Sequence, residues 1–299
     1  MRVVIALGGN ALLRRGEPMD VEIQVCNARR AATAVAAVAA EHDVVITHGN
    51  GPQVGLLALQ AEAYTEGPIL PLDLLGAESE GLIGYLLDRE LVGLLPHRRI
   101  ATVLTQTLVS TEDPALDAPS KPIGPVYPPE RGAQLAAERG WVMRPDGDGL
   151  RRVVPSPAPA GIVELPTLRL LLEHQVLVIC AGGGGVPVAR RPDGRLQGVE
   201  AVVDKDAASA LLARELDADA LLLLTDVDAV YRGWPGRGDP VREISADHLE
   251  ALPLAAGSMG PKAAAACAFA RSGGAAAIGA LDDALAVLEG RAGTRISRI

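Results

Sequence analysis

Short, continuous apolar runs alternate along the chain with longer stretches in which apolar residues recur at helical spacing. Runs without polar alternation are typical of strands buried on both faces, and intervening helices indicate a mainly parallel sheet. We therefore predict an α/β fold that binds ligands at the carboxyl ends of its strands. The predicted strands cover 3–7, 44–47, 100–105, 176–180, 220–225 and 275–278. The predicted helices cover 21–41, 51–63, 73–94, 204–216, 246–252, 259–272 and 282–289.

Residues 110–160 interrupt this alternation. The segment holds many of the 22 prolines, together with charged residues and the turn signal Pro145-Asp146-Gly147. A linker is one interpretation, but apolar residues that could form a small core favour a folded insert. These residues are Ile123, Val126, Tyr127, Trp141, Val142, Val153 and Val154. We predict one domain over 1–299, with a small subdomain of short strands and one helix, around 129–139, inserted at 110–160.

Composition narrows the ligands that this fold could bind. The chain has 299 residues and a formal net charge of -9, which argues against general nucleic-acid binding. Three cysteines without a CxxC motif indicate neither a disulfide framework nor a zinc site. The Ala-rich stretch 31–40 is far shorter than a membrane helix, and the start of the chain does not resemble a signal peptide. We therefore expect a cytoplasmic protein. Because the net charge is negative, we expect an anionic ligand to bind at a local positive site.

Glycine-rich turns follow three of the predicted strands. They contain Gly8 and Gly9, then Gly49 and Gly51, and then residues 182–185. Glycine lets backbone N–H groups approach phosphate oxygens, and a following helix N-terminus adds partial positive charge. Tight turning would explain one such loop equally well, but three at one sheet edge favour a phosphate site. Neither a Walker A sequence nor a dinucleotide-binding GxGxxG pattern is present.

Three polar residues in these turns are candidates for chemistry. Asn10 and Asn50 could donate side-chain amides to a ligand oxygen, although turn geometry alone would also explain them. His48 could serve as a general base. A structural hydrogen bond is the favoured interpretation for His48, because no paired acid is evident in the sequence.

Lysine is rare in this chain. Of the 28 basic side chains, 25 are arginines, and the lysines are Lys121, Lys205 and Lys262. An ammonium is a compact point charge, which suits a crowded phosphate site, whereas chance retention of surface lysines is the alternative. Asp206 follows Lys205 and could hold the lysines in place or help to bind a metal. Phosphoryl transfer needs such positioning and charge neutralisation rather than covalent chemistry by the protein.

Six segments spread along the chain form a recognisable set. They are VVIALGGNALL from Val3, HGNGPQVGLLALQ from His48, PLDLLGAESEGLIGYLL from Pro71, KPIGPVY from Lys121, GVEAVVDKDAASALLA from Gly198, and GSMGPKAAA from Gly257. With these segments, nearly the whole chain resembles carbamate kinases of the amino-acid kinase family. The glycine loops are shared with other kinases of the fold, whereas the segments from Pro71 and Lys121 are more specific.

The resemblance implies a three-layer αβα sandwich with a mainly parallel open sheet and a small protruding subdomain. It also implies a homodimer, with helix 73–94 in the core and the dimer interface. The implied reaction is reversible phosphoryl transfer between ATP and carbamate, giving ADP and carbamoyl phosphate, with Mg²⁺ accompanying the nucleotide. The expected direction is ATP synthesis in arginine and carbamoyl phosphate catabolism.

The resemblance also implies site residues. Gly8, Gly9 and Asn10 would meet the transferring phosphate, and Gly49, Asn50 and Gly51 would hold the carbamate end. Lys205 and Lys262 would flank the phosphates, with Asp206 organising them and Lys121 reaching in from the subdomain. Leu7 stands where many relatives of the fold carry a lysine, which increases the importance of Lys121. The nucleotide side would comprise Thr225, Asp226, Val227, Asp228, Tyr231 and Met259.

Two alternatives to this function remain open at the level of sequence. The same fold could phosphorylate another small acceptor, in which case the pocket formed by 48–55 would accept a bulkier group. A non-catalytic regulator that binds carbamoyl phosphate or a nucleotide would also retain the glycine loops. A two-metal site at 225–228 is disfavoured, because a loop at the nucleotide edge explains the same residues.

Overall fold

The computed structural model describes the chain except for residues 15, 16, 65, 68, 234–237, 256 and 299, and the side chains of residues 10 and 11 also lie outside the description. The strands are β1 Arg2–Leu7, β2 Asp43–His48, β3 Ile100–Thr102, β4 Gln106–Leu108, β5 Lys121–Tyr127, β6 Val142–Asp146, β7 Gly149–Val154, β8 Gly161–Ile162, β9 Leu177–Ile179, β10 Val186–Arg190, β11 Leu196–Gly198, β12 Ala220–Thr225, β13 Val230–Tyr231, β14 Pro240–Val241, β15 Glu243–Ser245, β16 Ala275–Ala280 and β17 Thr294–Ser297. The helices are α1 Gly9–Leu12, α2 Val21–Ala39, α3 Gly51–Ala63, α4 Leu72–Leu94, α5 Pro129–Arg139, α6 Leu165–Glu173, α7 Lys205–Glu215, α8 Ala246–Glu250, α9 Met259–Arg271 and α10 Ala284–Leu288.

An eight-stranded sheet forms the centre of the molecule. Its strand order is β15-β17-β16-β12-β1-β2-β9-β3, and its neighbours are parallel except for the pair β16 and β17. In β1, Val4 and Ala6 face one hydrophobic cluster, whereas Val3 and Ile5 face another. Both faces of the strand are therefore buried, which explains its unbroken apolar run.

Helices cover both faces of this sheet. Residues of α2, α4 and α10 pack in the cluster that contains Ile5, and residues of α6, α7, α8 and α9 pack in the cluster that contains Val4. The predicted three-layer αβα fold with a mainly parallel open sheet is confirmed. The register pairs Leu7 with both His48 and Leu224, so the carboxyl ends of β1, β2 and β12 lie side by side.

The strand predicted at 100–105 is too long. It ends at Thr102, and the chain then enters β4, which belongs to a second sheet of order β11-β10-β4-β8. The backbone leaves the central sheet at this point, and the N–H and C=O groups of Thr105 form hydrogen bonds outside that sheet. The Thr105 N–H donates to the Glu80 carboxyl group over 3.2 Å, and the Val186 N–H donates to the Thr105 carbonyl over 2.8 Å.

Other differences concern short elements. Helix α6, the edge strand β15 and its neighbour β17 were not predicted, and the segment predicted as a helix at 282–289 begins as a 3-10 turn before α10. A strand of four residues or a nine-residue helix carries too few apolar repeats to stand out from neighbouring loops.

The insert consists of an antiparallel sheet of order β5-β7-β6 with α5 packed against β7. Among the residues expected to form a small core, Ile123, Val153 and Val154 are buried. Val126 and Val142 are exposed, whereas Ile123 and Val154 pack against Val54 and two leucines of the main body, Leu72 and Leu75. The insert is therefore anchored to α3 and α4 through shared hydrophobic contacts.

A close backbone crossing fixes where the insert sits on the main body. A Cβ placed on Gly55 of α3 would lie 2.2 Å from the Cα of Gly124 in β5, and Gly124 has a φ of +68°. Real Cβ atoms do not approach a backbone atom so closely, so the crossing requires a glycine at Gly55. Because Lys121 lies on the same strand as Gly124, this contact also fixes the position of that lysine.

Helix α4 separates two environments along its 23 residues. Leu75, Ser79, Ile83 and Leu87 recur at helical spacing and are buried. The opposite face is exposed over its whole length and is apolar at Leu74, Leu82, Tyr85 and Val92. None of the helices in the described ranges is long and apolar enough to cross a membrane.

Candidate functional site

The glycine loops after β1 and β2 touch each other at the carboxyl edge of the sheet. The Gly8 N–H donates to the Leu224 carbonyl over 2.9 Å, and the Gly49 N–H donates to the Leu7 carbonyl over 3.0 Å. A Cβ on Gly49 would lie 2.8 Å from the backbone nitrogen of Gly9. The two loops therefore bring their backbones together without intervening side chains.

A third loop, residues 181–185 after β9, closes over the second. A Cβ on Gly183 would lie 2.1 Å from the side-chain nitrogen of Asn50, and Gly183 has a φ of +65°. Both the left-handed backbone and the lack of space require glycine at this position. A Cβ on Gly184 would lie 2.5 Å from the Val203 carbonyl oxygen, directly before Asp204. The loop thus spans the distance from Asn50 to the start of α7.

Asn50 is held in one orientation by α4. Its side-chain nitrogen donates to the Ser79 hydroxyl over 2.8 Å, and this hydroxyl donates to the Gly76 carbonyl over 2.8 Å. Asn50 is buried and precedes Gly51, the first residue of α3. The backbone of Asn10 lies in α1, directly after Gly9, but its side chain lies outside the described residues.

Two of the lysines share one buried carboxylate. The ammonium nitrogen of Lys205 lies 2.5 Å from one carboxylate oxygen of Asp206, and that of Lys262 lies 3.1 Å from the other. Lys205 and Asp206 begin α7, and Lys262 lies in the first turn of α9. The structure therefore brings Asp206 and Lys262 together, although they are 56 positions apart in the sequence.

The ionisation of this cluster follows from its burial. Burial favours a protonated Asp206, but the ammonium groups of Lys205 and Lys262 outweigh burial and lower the pKa of Asp206 to about 2. Burial also lowers the pKa of Lys205, against the opposing effect of the Asp206 carboxylate. Asp206 is thus an anion at neutral pH that compensates two nearby cations.

Lys121 reaches the same segment from the insert. Its ammonium group forms an ion pair with one carboxylate oxygen of Asp204, the residue that caps the N-terminus of α7. The other oxygen accepts the N–H groups of Asp206 and Ala207 over 2.9 and 3.0 Å. All three lysines therefore pair with acids in the segment 204–206, at the N-terminus of one helix.

The residues expected on the nucleotide side lie after β12 and at the start of α9. Thr225 ends β12 beside Gly8, and its hydroxyl donates to Asp226 over 3.0 Å. The Tyr231 hydroxyl donates to Asp228 over 2.7 Å, and Val227 lies between the two aspartates in sequence. Met259 begins α9, one helical turn from Lys262. In the part of the chain described, no cluster of His, Cys, Asp or Glu has an arrangement suited to holding a metal ion.

His48 is completely buried. Its Nδ1 lies 3.3 Å from the Gly49 carbonyl oxygen, and its Nε2 has no hydrogen-bond partner among the described residues. Burial lowers the pKa of His48 to about 4, so the ring is neutral at pH 7.

Sequence reasoning missed two residues that support the loops, Ser79 and Glu80. Both lie on the buried face of α4, where apolar residues such as Ile83 and Leu87 follow at helical spacing. A glutamate in line with these residues was the available signal, because carboxyl groups are rarely buried without partners. The Glu80 carboxyl group accepts the Gly182 N–H over 2.8 Å.

Comparisons with known proteins give a consistent result. The model of the amino acid kinase family matches residues 1–278. The carbamate kinase of Haemophilus influenzae is 51% identical, over 100% of this chain and 97% of its own length. The carbamate kinase of Pyrococcus furiosus is 47% identical, over 99% of this chain and 98% of its own length.

Solved structures agree with the sequence relatives. The Giardia lamblia carbamate kinase bound to citric acid is 40% identical and superposes with a TM-score of 0.93, over 99% of this chain and 98% of its own. The same enzyme bound to AMP-PNP superposes with a TM-score of 0.89, over the same shares of the two chains. From the family model, the relatives and the shared fold, we conclude that this chain belongs to the amino-acid kinase family.

Proposed function

We propose that this protein is a carbamate kinase, which transfers a phosphoryl group reversibly between ATP and carbamate. The observation that carries the proposal is the set of three lysines paired with the segment 204–206, on a chain about half identical to carbamate kinases. Carbamate and carbamoyl phosphate are small anions, which suits a site with three cations and close-packed glycine loops.

Each part of the site would contribute to charge neutralisation and positioning. We propose that the N–H groups of the loop around Gly8, Gly9 and Asn10 contact the transferring phosphate, and that Gly49, Asn50 and Gly51 hold the carbamate end. Lys205 and Lys262 would stabilise charge on the phosphate oxygens, and Asp206 would keep both ammonium groups in place. Lys121 would add a third cation from the insert.

The nucleotide would lie beside β12 and α9. We propose that Thr225, Asp226, Val227, Asp228 and Tyr231 line its binding site and that Met259 lies near the adenine. The Giardia lamblia relative bound to AMP-PNP supports nucleotide binding in this family.

We propose Mg²⁺ as the companion of the nucleotide. The carboxylate oxygens of Asp206 already pair with lysines, and the described residues offer no ready cage of metal ligands. This donor set fits an ion held mainly by the nucleotide's own phosphate oxygens, which is the usual arrangement for Mg²⁺. Such an ion neutralises charge on the nucleotide phosphates. We further propose that the enzyme works in the cytoplasm and makes ATP in arginine and carbamoyl phosphate catabolism.

We also propose that the protein is a homodimer that associates through the outer face of α4. Leu74, Leu82, Tyr85 and Val92 are 48%, 42%, 58% and 53% exposed, and their spacing places them on one side of the helix. These apolar side chains share the face with the exposed charged residues Glu78 and Arg89, and exposed apolar patches with polar neighbours are typical of protein–protein interfaces. The sequence resemblance implies the same assembly.

The reverse reaction tests the proposed activity. Purified protein should form ATP from ADP and carbamoyl phosphate in the presence of Mg²⁺, measured by a coupled ATP assay. Acetyl phosphate serves as an alternative donor that reports on acceptor selectivity. No ATP formation would reject the carbamate kinase assignment, and binding of ADP without turnover would support a regulatory protein.

Replacement of Lys121 tests the role of the insert. Lys121→Ala should lower kcat by about 100- to 1000-fold, or about 3–4 kcal/mol in the activation barrier, by analogy with the loss of one donor to a developing anion. Arg144→Ala removes an exposed cation from the same small sheet and should leave kcat unchanged. Near wild-type activity of Lys121→Ala would show that this lysine does not contact the reacting phosphate.

A charge on the outer face of α4 tests the dimer. Leu82→Glu should convert the protein from dimer to monomer, as measured by sedimentation equilibrium, because it places a charge in the proposed apolar interface. Leu170→Glu changes an exposed apolar residue on α6 and should leave the dimer intact. A wild-type monomer, or a Leu82→Glu dimer of unchanged stability, would contradict this interface.

A further inference from the structure

The buried face of α4 carries polar side chains at the point where it passes beneath the substrate loops. Ser79 is fully buried, and Glu80 is 1% exposed. A buried carboxyl group is costly unless its oxygens are hydrogen-bonded, and an apolar side chain would fill this space at lower cost. The presence of Glu80 therefore requires an explanation beyond packing.

Both carboxyl oxygens of Glu80 accept backbone N–H groups. One accepts the Gly182 N–H over 2.8 Å, and the other accepts the Thr105 N–H over 3.2 Å. Gly182 belongs to the loop 181–185 that covers Asn50, and Thr105 precedes β4. Glu80 thus joins α4 to two segments that are 102 and 25 positions away in sequence.

The loop 181–185 needs such support because its backbone is unusual. Ala181 has a φ of 48°, and residues 183–185 also have positive φ values. A left-handed conformation is unfavourable for alanine, and it persists where surrounding contacts hold it. Thr105 accepts the Ala181 N–H over 3.0 Å, and the Thr107 hydroxyl donates to the Gly184 carbonyl over 2.7 Å.

Gly182 also separates two buried titratable groups. A Cβ on Gly182 would lie 2.5 Å from Nε2 of His48 and 2.9 Å from Cγ of Glu80, so a side chain there would displace both. Burial raises the pKa of Glu80 to about 8, with a further contribution from Glu164. The hydrogen bonds from the Gly182 and Thr105 N–H groups oppose this increase in pKa.

We propose that Glu80 is a positioning residue for the carbamate side of the site. It acts through the Gly182 N–H, which holds the loop 181–185 against Asn50, while the neighbouring Ser79 orients the Asn50 side chain. This inference rests on the proposed function, because it assigns Asn50 to the carbamate end. Glu80 acts through the loop and not by contact with the substrate. Its replacement should weaken the binding of carbamoyl phosphate more than the binding of ADP.

Steady-state kinetics of ATP formation test this proposal. Glu80→Ala should raise the KM for carbamoyl phosphate at least tenfold and leave the KM for ADP within twofold of wild type. Glu80→Gln keeps one carbonyl oxygen as an acceptor but turns its NH2 group towards the other backbone N–H, so its KM for carbamoyl phosphate should lie between those of wild type and Glu80→Ala. Glu173→Ala is the control, because Glu173 is an exposed glutamate on α6, and both KM values should stay unchanged.

Thr107→Val provides a second test if Glu80→Ala does not fold. It removes the hydroxyl that donates to Gly184 and should raise the KM for carbamoyl phosphate about threefold without changing that for ADP. Equal increases in both KM values, or unchanged values, would overturn the proposal. An inactive wild-type protein would instead reject the proposed function itself.

Discussion

The site depends on two ion pairs that share one carboxylate. Asp206 pairs with the ammonium groups of Lys205 and Lys262. Charges removed from water are costly, and only close partners of opposite sign offset that cost. The pairing therefore constrains two helices at once, because α7 and α9 must begin where their first-turn residues meet. Asp204 satisfies the first N–H groups of α7 and at the same time receives Lys121 from the insert.

Glycine determines how closely the rest of the site can approach this cluster. The loops after β1 and β2 pack backbone against backbone, and the loop after β9 packs its backbone against the Asn50 side chain. Side chains from α4 hold Asn50 and the loop after β9. The crossing of Gly55 and Gly124 fixes the insert in the same way. Lys121 reaches the cluster from this insert. The close packing of Gly55 against Gly124 therefore determines the position of the Lys121 ammonium group. Gly55 and Gly124, which have no reactive side chains, thus affect the electrostatics of the site through packing.

Sequence reasoning predicted the central sheet well because its strands are buried on both faces and show as unbroken apolar runs. It could not predict the end of β3 at Thr102, because that end depends on Glu80, 25 positions before Thr105. The alignment of Glu80 with the apolar residues of α4 was a signal that it is buried, but its partners Gly182 and Thr105 depend on long-range packing.

The scarcity of lysine identified the three cations, but their partners were harder to predict. Lys121 and Asp204 are 83 positions apart, and the contact exists only because the insert folds back onto α3. Val126 and Val142 look like core residues in sequence, yet they are exposed because the insert uses Ile123 and Val154 to pack on the main body. Long-range placement of this kind is set by packing rather than by local pattern.

Equilibrium unfolding of Asp206→Asn tests most directly whether this carboxylate compensates the two lysines. The variant should lose about 3–5 kcal/mol of unfolding free energy at neutral pH, because it leaves buried ammonium groups without their counter-ion. The difference in unfolding free energy between wild type and variant should have its full value above about pH 4, where unfolded aspartate is ionised. It should become smaller as the pH falls towards the folded pKa of about 2. A variant with wild-type stability at neutral pH would contradict the account.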